Sequence, residues 1–277
     1  MKNLVDKERW DILYKKAQRR STCNTKKTNR AIDGLRKFCC PYSDYLLWNV
    51  IFRKYLPKNK DAKALEVGSA PGDFLVRLHQ TYGLIPYGVE YSEPGVIQNK
   101  NLFHLYNIDE DNVIHADFFD DKFQERFKEH FDIVISRGFI EHFNDLGNVI
   151  DKHMNLLAGG GYLIVSIPNL NQRSFYGRCA ALFHKERLEM HNLEIMSKDE
   201  FTKLFDKKEL LTLFCDYYGT LRLRMVSPGN ILPVKLAIYA FSKLDPLLSP
   251  LLRLVFRDKG AESRFFSPGL LYIGIKR

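Results

Sequence analysis

From residue 63 onward, short apolar runs alternate with stretches that carry apolar residues at helical spacing. That alternation predicts a parallel sheet with crossover helices. Strands are expected over residues 64–67, 87–91, 113–116, 132–136 and 161–167, with helices between them at 73–82, 94–106, 122–129 and 146–157. A helix at 199–205 and final strands at 209–217 and 270–276 complete the fold class: α/β, a doubly wound, mostly parallel seven-stranded sheet. The first 60 residues read as a helical cap instead. Residues 8–20 carry Trp10, Ile12, Leu13 and Ala17 near helical spacing, a polar loop is expected at 21–29, and residues 41–56 carry a second apolar stripe. The expected organisation is therefore a cap over 1–60 and a ligand-binding domain over 61–277.

Two segments break the alternation. Residues 168–196 are aromatic and basic, contain His184 and His191, and follow the C-terminal end of a strand. In open α/β sheets ligands bind beyond those ends, so this segment is expected to act as a lid over the acceptor. Residues 231–257 form a helical insertion before the last strand, with helical pieces started by Pro233, Pro246 and Pro250.

Composition narrows the class. With 45% hydrophobic and 13% aromatic residues over 277 positions, a sizeable core is available and global disorder is excluded. The opening MKNLVDKERW has no hydrophobic secretory region, and the apolar stretch 231–256 is interrupted by Lys235, Lys243, Asp245 and Arg253. A cytoplasmic location is expected. Cys23, Cys39, Cys40, Cys179 and Cys215 show neither metal-ligand spacing nor an even count for a disulfide framework. Charge is segregated: 16 Lys and Arg against 5 Asp and Glu in residues 1–60, 16 against 25 in 61–218, and 10 against 3 in 219–277. Basic ends that meet in space would favour an anionic acceptor or an anionic membrane, whereas separate ends would be ordinary solvated faces.

The densest chemical signal is A-L-E-V-G-S-A-P-G-D, residues 64–73. A buried strand ends at Gly68, a turn of small residues lets a ligand approach the backbone, and a helix begins near Asp73 with free N–H groups at its start. Glu90 ends the next strand 22 positions after Gly68, the spacing of a carboxylate that binds ribose hydroxyls. A dinucleotide fingerprint would place glycines where Ala70 and Asp73 stand. Asp73 would repel a pyrophosphate there by several kcal/mol. It would not repel a ligand with an ammonium and a sulfonium, so S-adenosylmethionine suits this turn better than NAD.

Over residues 61–217 the chain resembles the class I S-adenosylmethionine-dependent methyltransferases, of the small-molecule type. The segment E-V-G-S-A-P-G resembles that family's glycine-rich first motif, with Ala70 in place of its central glycine. This implies cofactor contacts from Glu66, Gly68, Ser69, Ala70, Gly72 and Asp73. G-V-E-Y places Glu90 and Tyr91 at the ribose, and A-D-F-F places Asp117 at the adenine amino group with Phe118 against the ring. F-D-I-V-I-S is similar to the fourth strand, whose end brings Ser136 and Arg137 to the cofactor, and L-L-A-G-G-G-Y-L-I-V-S-I-P-N resembles the fifth.

The acceptor is less legible. Glu141 and His142 follow the fourth strand, and a similar Glu-His pair in family members lets the histidine face the transferring methyl. His142 is then a candidate general base, with Glu141 beside it. Alternatively it orients the chain while alignment supplies the rate. His184 and His191 are rival bases, and no His, Cys and carboxylate set shows metal spacing. The S-A-P-G turn also resembles RNA ribose methylases, and the basic ends would suit phosphates. That family needs an aspartate where Arg137 stands, and residues 136–139 read S-R-G-F rather than an amino-methylase motif. A small-molecule or lipid-like acceptor is therefore expected ahead of nucleic acid. A catalytically silent cofactor-binding module remains the third reading.

Overall fold

The computed structural model describes residues 4–5, 7–21, 41–206, 208–220, 222–226, 229 and 231–277. Residues 22–29 of the expected loop, and Cys23, Cys39 and Cys40, lie outside the described residues. Helix α1 is Lys7–Ser21, and α2 is built of α-helical Tyr42–Tyr45, π-helical Leu46–Ile51 and α-helical Phe52–Tyr55. The alternating part then runs β1 (Lys63–Val67), α3 (Asp73–Tyr82), β2 (Ile85–Glu90), α4 (Glu93–Leu105), β3 (Val113–His115), α5 (Asp121–Arg126), β4 (Phe131–Arg137), α6 (Leu146–Leu156) and β5 (Leu157–Pro168). After it come α7 (Phe175–Phe183), α8 (Lys185–Glu189), α9 (Lys198–Asp206), β6 (Leu210–Tyr218), α10 (Leu232–Ser242), α11 (Asp245–Phe256) and β7 (Gly269–Lys276).

The seven strands form one sheet in the order β3-β2-β1-β4-β5-β7-β6. The first five are parallel, while β7 is antiparallel to both β5 and β6. The strand period of two distributes the apolar residues to two cores. Along β4, Val134 enters one core and Ile133 and Ile135 the other, while Phe131 joins Val134 across a register shift between Phe131 and Ile133. Helices α6 and α9 cover the first face with Val149, Ile150, Phe201 and Phe205. Helices α2 and α3 cover the second with Trp48, Phe52, Leu75 and Leu78. Both faces are buried, which is why β4 and β5 read as near-continuous apolar runs rather than alternating ones.

The N-terminal expectation holds for helix content but not for the inward face of α1. Ile12 and Leu13 are exposed, whereas Trp10, Asp11 and Tyr14 turn toward the sheet. The face of α1 is set by polar partners at the sheet edge, not by an apolar core. The insertion reaches the cap: Tyr42 N–H donates to Ser249 Oγ at 3.2 Å, Tyr42 OH to the Arg257 carbonyl at 2.8 Å, and Tyr45 OH to Asp258 Oδ1 at 2.6 Å. Arg253 stacks over the Tyr45 ring at 3.8 Å.

Where β7 wedges between β5 and β6, the Phe205 ring lies on Tyr272 with centroids 3.6 Å apart and planes 9° from parallel. Phe205 is 1% exposed. Phe205→Ala should remove about 3–5 kcal/mol of stability, the range for truncating a buried aromatic ring. Urea titration checks it. A loss under about 1 kcal/mol would mean that the layer refills the space without cost.

Candidate active site

The turn after β1 is shaped by residues that lack bulk. Gly68 takes φ +68°, in the left-handed region that favours glycine, while its N–H donates to the Val89 carbonyl at 3.0 Å. Gly72 takes φ +95° at the start of α3, where a Cβ would come within 2.1 Å of Asn99 Oδ1. Between them the chain passes under a cavity of about 360 Å³ at the C-terminal ends of β1, β2 and β4. That volume falls in the range of small-molecule sites.

Of the sequence-predicted residues, Glu66, Gly68, Ala70, Glu90, Tyr91, Asp117, Phe118, Arg137 and His142 line this cavity. The others are placed elsewhere. Ser69 turns back onto the sheet, filling the space left by the missing Cβ of Gly88. Gly72 caps α3 and faces Asn99. Asp73 lines a neighbouring cavity, Ser136 is fully buried with no partner for its hydroxyl, and Glu141 is buried behind the wall. Ser136 and Arg137 are successive strand residues, so they point to opposite faces.

Four carboxylates behave differently. Glu90 is 2% exposed and accepts from Ser92 N–H at 2.9 Å, Ala70 N–H at 3.4 Å and Tyr14 OH at 3.5 Å. Burial raises its pKa, and those donors pull it back. Burial and the neighbouring Glu90 also push the Tyr14 hydroxyl far up, so it stays a donor. Glu66 accepts from Arg137 Nε at 2.7 Å through one oxygen, while its other oxygen is buried without a partner. Burial lifts its carboxyl to about 7 even though Arg137 lowers it. Asp117 is exposed and accepts from the N–H of Phe119 at 2.9 Å. Glu141 is 1% exposed, one of its oxygens has no partner, and burial lifts it to about 8.

His142 sits on the one-turn helix Ile140–His142 beyond β4. Its ring meets Trp10 edge-on at 5.4 Å, lies 4.7 Å from the His191 ring, and shares a hydrogen bond between Nδ1 and the Met190 carbonyl at 2.8 Å. Burial lowers its pKa more than the Met190 and Gly138 carbonyls raise it, which disfavours the charged ring. His184 caps α8 and does not line the cavity. Residues 168–196, expected as a lid, supply none of the lining. They back His142 instead, with Asn192 N–H donating to the Glu141 carbonyl at 2.6 Å.

Sequence reasoning missed the contributions of α1 and of a second cavity. Val5, Trp10 and Tyr14 complete the first cavity. Trp10 belongs to the helical stripe read from the sequence, which does not fix its direction, and Tyr14 is not among the residues of that stripe. A second cavity of about 320 Å³ shares Arg137 with the first and is lined by Asp44, Asp73, Arg77, Tyr218 and Arg222 among others. Arg222 pairs with Asp44 at 3.1 Å and leaves a buried Nε unpartnered. Those residues come from four distant parts of the chain, so no local pattern announces them.

Comparison with known proteins agrees with this geometry. The model of a methyltransferase-domain family matches residues 43–217. Geranyl diphosphate C-methyltransferase of Streptomyces coelicolor A3(2), solved with Mg²⁺, geranyl diphosphate and S-adenosyl-L-homocysteine, aligns with a TM-score of 0.54 and 15% identity, over 85% of this chain and 78% of that one. An S-adenosylmethionine-dependent methyltransferase of Archaeoglobus fulgidus aligns at 0.52 and 16%, over 90% and 100%. Phosphoethanolamine N-methyltransferase 2 of Haemonchus contortus, solved with S-adenosyl-L-methionine, aligns at 0.53 and 14%, over 84% and 52%. No curated protein matches the sequence. With the family model covering most of the chain and the sheet carrying the family's glycine turn, this chain belongs to the class I methyltransferases and uses S-adenosylmethionine as its cofactor.

Proposed function

We propose that the enzyme methylates a lipid-like, anionic acceptor that it meets at the cytoplasmic surface of an anionic membrane. The observation that carries this reading is the outward face of the insertion. Of the 20 large hydrophobic side chains exposed among the described residues, 11 lie between Ile231 and Phe256, with Leu232 at 65% and Leu254 at 76%. Apolar exposure concentrated in this way marks an interaction surface. Lys235, Lys243, Arg257 and Lys259 are exposed on the same segment. Apolar residues interleaved with basic ones suit helices lying on an anionic bilayer, where each cation adds about 1 kcal/mol. No helix among the described residues is long and apolar enough to cross a membrane.

The residues of the first cavity fit the cofactor. In this reading Glu90 accepts ribose hydroxyls, Asp117 accepts from the adenine amino group, and Phe118 packs against the ring. The unpartnered oxygen of Glu66 suits an ammonium group. The cofactor supplies an electrophilic methyl on a sulfonium. Arg77, Arg137 and Arg222 bring positive charge to the second cavity, and Asp44 and Asp73 offset part of it. A phosphate or carboxylate of the acceptor would engage the unpartnered Nε of Arg222. Two of the similar structures, named for geranyl diphosphate and phosphoethanolamine, involve phosphate-bearing molecules. Alignment of the acceptor supplies the rate in this reading, with His142 held at the cavity wall by Met190 and Trp10.

Glu90→Ala should weaken cofactor binding by about 1.5–3 kcal/mol, the scale of hydrogen bonds to a charged group. Asp117→Ala should cost less. Calorimetry that finds equal affinity in wild type and Glu90→Ala would remove the ribose assignment.

The membrane reading is checked by co-sedimentation with phosphatidylserine-containing vesicles. Binding should fall with salt and disappear in the triple variant Lys235→Glu, Lys243→Glu, Lys259→Glu. Equal recovery in the supernatant with and without anionic lipid would defeat it. Label carried from methyl-labelled cofactor into a total lipid extract, and not into the aqueous fraction, is the expected product. Cofactor binding with no labelled product in either fraction would return the chain to a silent binding module.

A further inference from the structure

At the cavity wall, reaching back from His142, lies a cluster whose shared geometry the methyl-transfer reading does not use. Glu141, His142 and His191 each offer one ligand atom, and the three atoms lie within 4.8 Å of one another. Glu141 and His142 are neighbours on the one-turn helix after β4, whereas His191 follows α8, 49 positions further along the chain. Two features point to what the cluster holds. Nδ1 of His142 lies 2.8 Å from the Met190 carbonyl, and Nδ1 of His191 lies 2.5 Å from the Arg187 carbonyl. A carbonyl only accepts, so each Nδ1 carries the proton and a neutral ring has its lone pair on Nε2, with the Gly138 carbonyl also beside the His142 ring. The second feature is the Glu141 oxygen, buried and without a donor in a residue only 1% exposed. One ligand atom from each of the three residues converges on one place, and a cation there would satisfy the unpartnered carboxylate oxygen.

We infer that Glu141, His142 and His191 form a binding site for one divalent transition-metal ion of the zinc class, clipping residues 168–196 to the turn beyond β4. Two imidazole nitrogens and one carboxylate oxygen suit Zn²⁺, Co²⁺ or Fe²⁺. Mg²⁺ and Ca²⁺ prefer oxygen sets. The carbonyls of Met190 and Arg187 act as the outer partners that hold each ring in place, and both belong to the clipped segment. Closing the ligand atoms from 4.8 Å to the roughly 3.4 Å edges of a tetrahedral zinc site needs a shift of about one ångström. Arg187 acts electrostatically on Glu141, yet no hydrogen bond joins its guanidinium to the carboxylate among the described residues. The inference rests on these side chains and stands whether or not the acceptor is a lipid.

The test uses the full chain, stripped with chelator and titrated with Zn²⁺ and Co²⁺, with Mg²⁺ as the control. One equivalent of Zn²⁺ should bind and raise the melting temperature, and Mg²⁺ should do neither. His191→Gln and Glu141→Gln should each weaken Zn²⁺ binding at least tenfold, on the order seen when a site loses one partner. His191→Cys keeps a zinc ligand, so it should retain Zn²⁺, and its Co²⁺ complex should gain a thiolate absorption in the near ultraviolet. No Zn²⁺ binding by wild type, unchanged affinity in folded Gln variants, or a Co²⁺ spectrum of His191→Cys identical to wild type would each overturn the assignment.

Discussion

The pairing of Glu66 with Arg137 organises the site. Glu66 lies in β1 and Arg137 ends the adjacent β4, so two neighbouring strands deliver opposite charges to one place at their C-terminal ends. Glu66 is 2% exposed at its side chain, and removing Arg137 would leave it as an uncompensated buried charge. Arg137 is further held by the Phe74 ring, 3.8 Å from its guanidinium carbon. It thus becomes a fixed partition, with the glycine turn and Glu90 on one side and Arg77 and Arg222 on the other. Because burial opposes ionisation of Glu66 and Arg137 favours it, the pair is the place where charge in the site is most finely balanced.

What could be read from the sequence was what depends on neighbours along the chain. The turn from Gly68 to Gly72 and the position of Glu90 follow from strand period, turn chemistry and spacing, all of them local. Strand and helix boundaries agree within a few residues, except that β5 begins at Leu157, ahead of its expected start at residue 161. Gly159, Gly160 and Gly161 are part of that strand. Contacts between distant residues were not legible. Nothing local says that Trp10 and Tyr14 face inward while Ile12 and Leu13 face solvent, because the partner of that face is Glu90, 76 positions from Tyr14. The convergence of Arg77, Arg137 and Arg222 and the approach of His191 to Glu141 are likewise products of the finished fold.

The segregation of charge takes on meaning once the ends are located. The insertion docks onto α2 through Tyr42 and Tyr45, so part of the basic C-terminal region lies against part of the basic cap. The acidic middle of the chain is the sheet domain itself. A wholly apolar insertion would bury its leucines, yet this one leaves them outward while Ile238 packs against the core. The insertion is thus anchored through Ile238, Ser249 and Arg253 while leucines of both its helices stay outward.

The place of β7 has a consequence for how the molecule is assembled. Strand β6 borders only β7, and β5 meets β7 through pairs such as Val165 with Tyr272. Until residues 269–276 enter the sheet, β6 has no partner at all, and β5 presents an open edge to solvent. Pairings this distant in sequence slow the search for the native topology, because loop closure comes before the contacts that reward it. The chain between them also holds the outward leucines of α10 and α11, so the same interval exposes an unpaired edge and a sticky helix pair. A chaperone that shields this half of the molecule would act on a vulnerability built into the strand order itself.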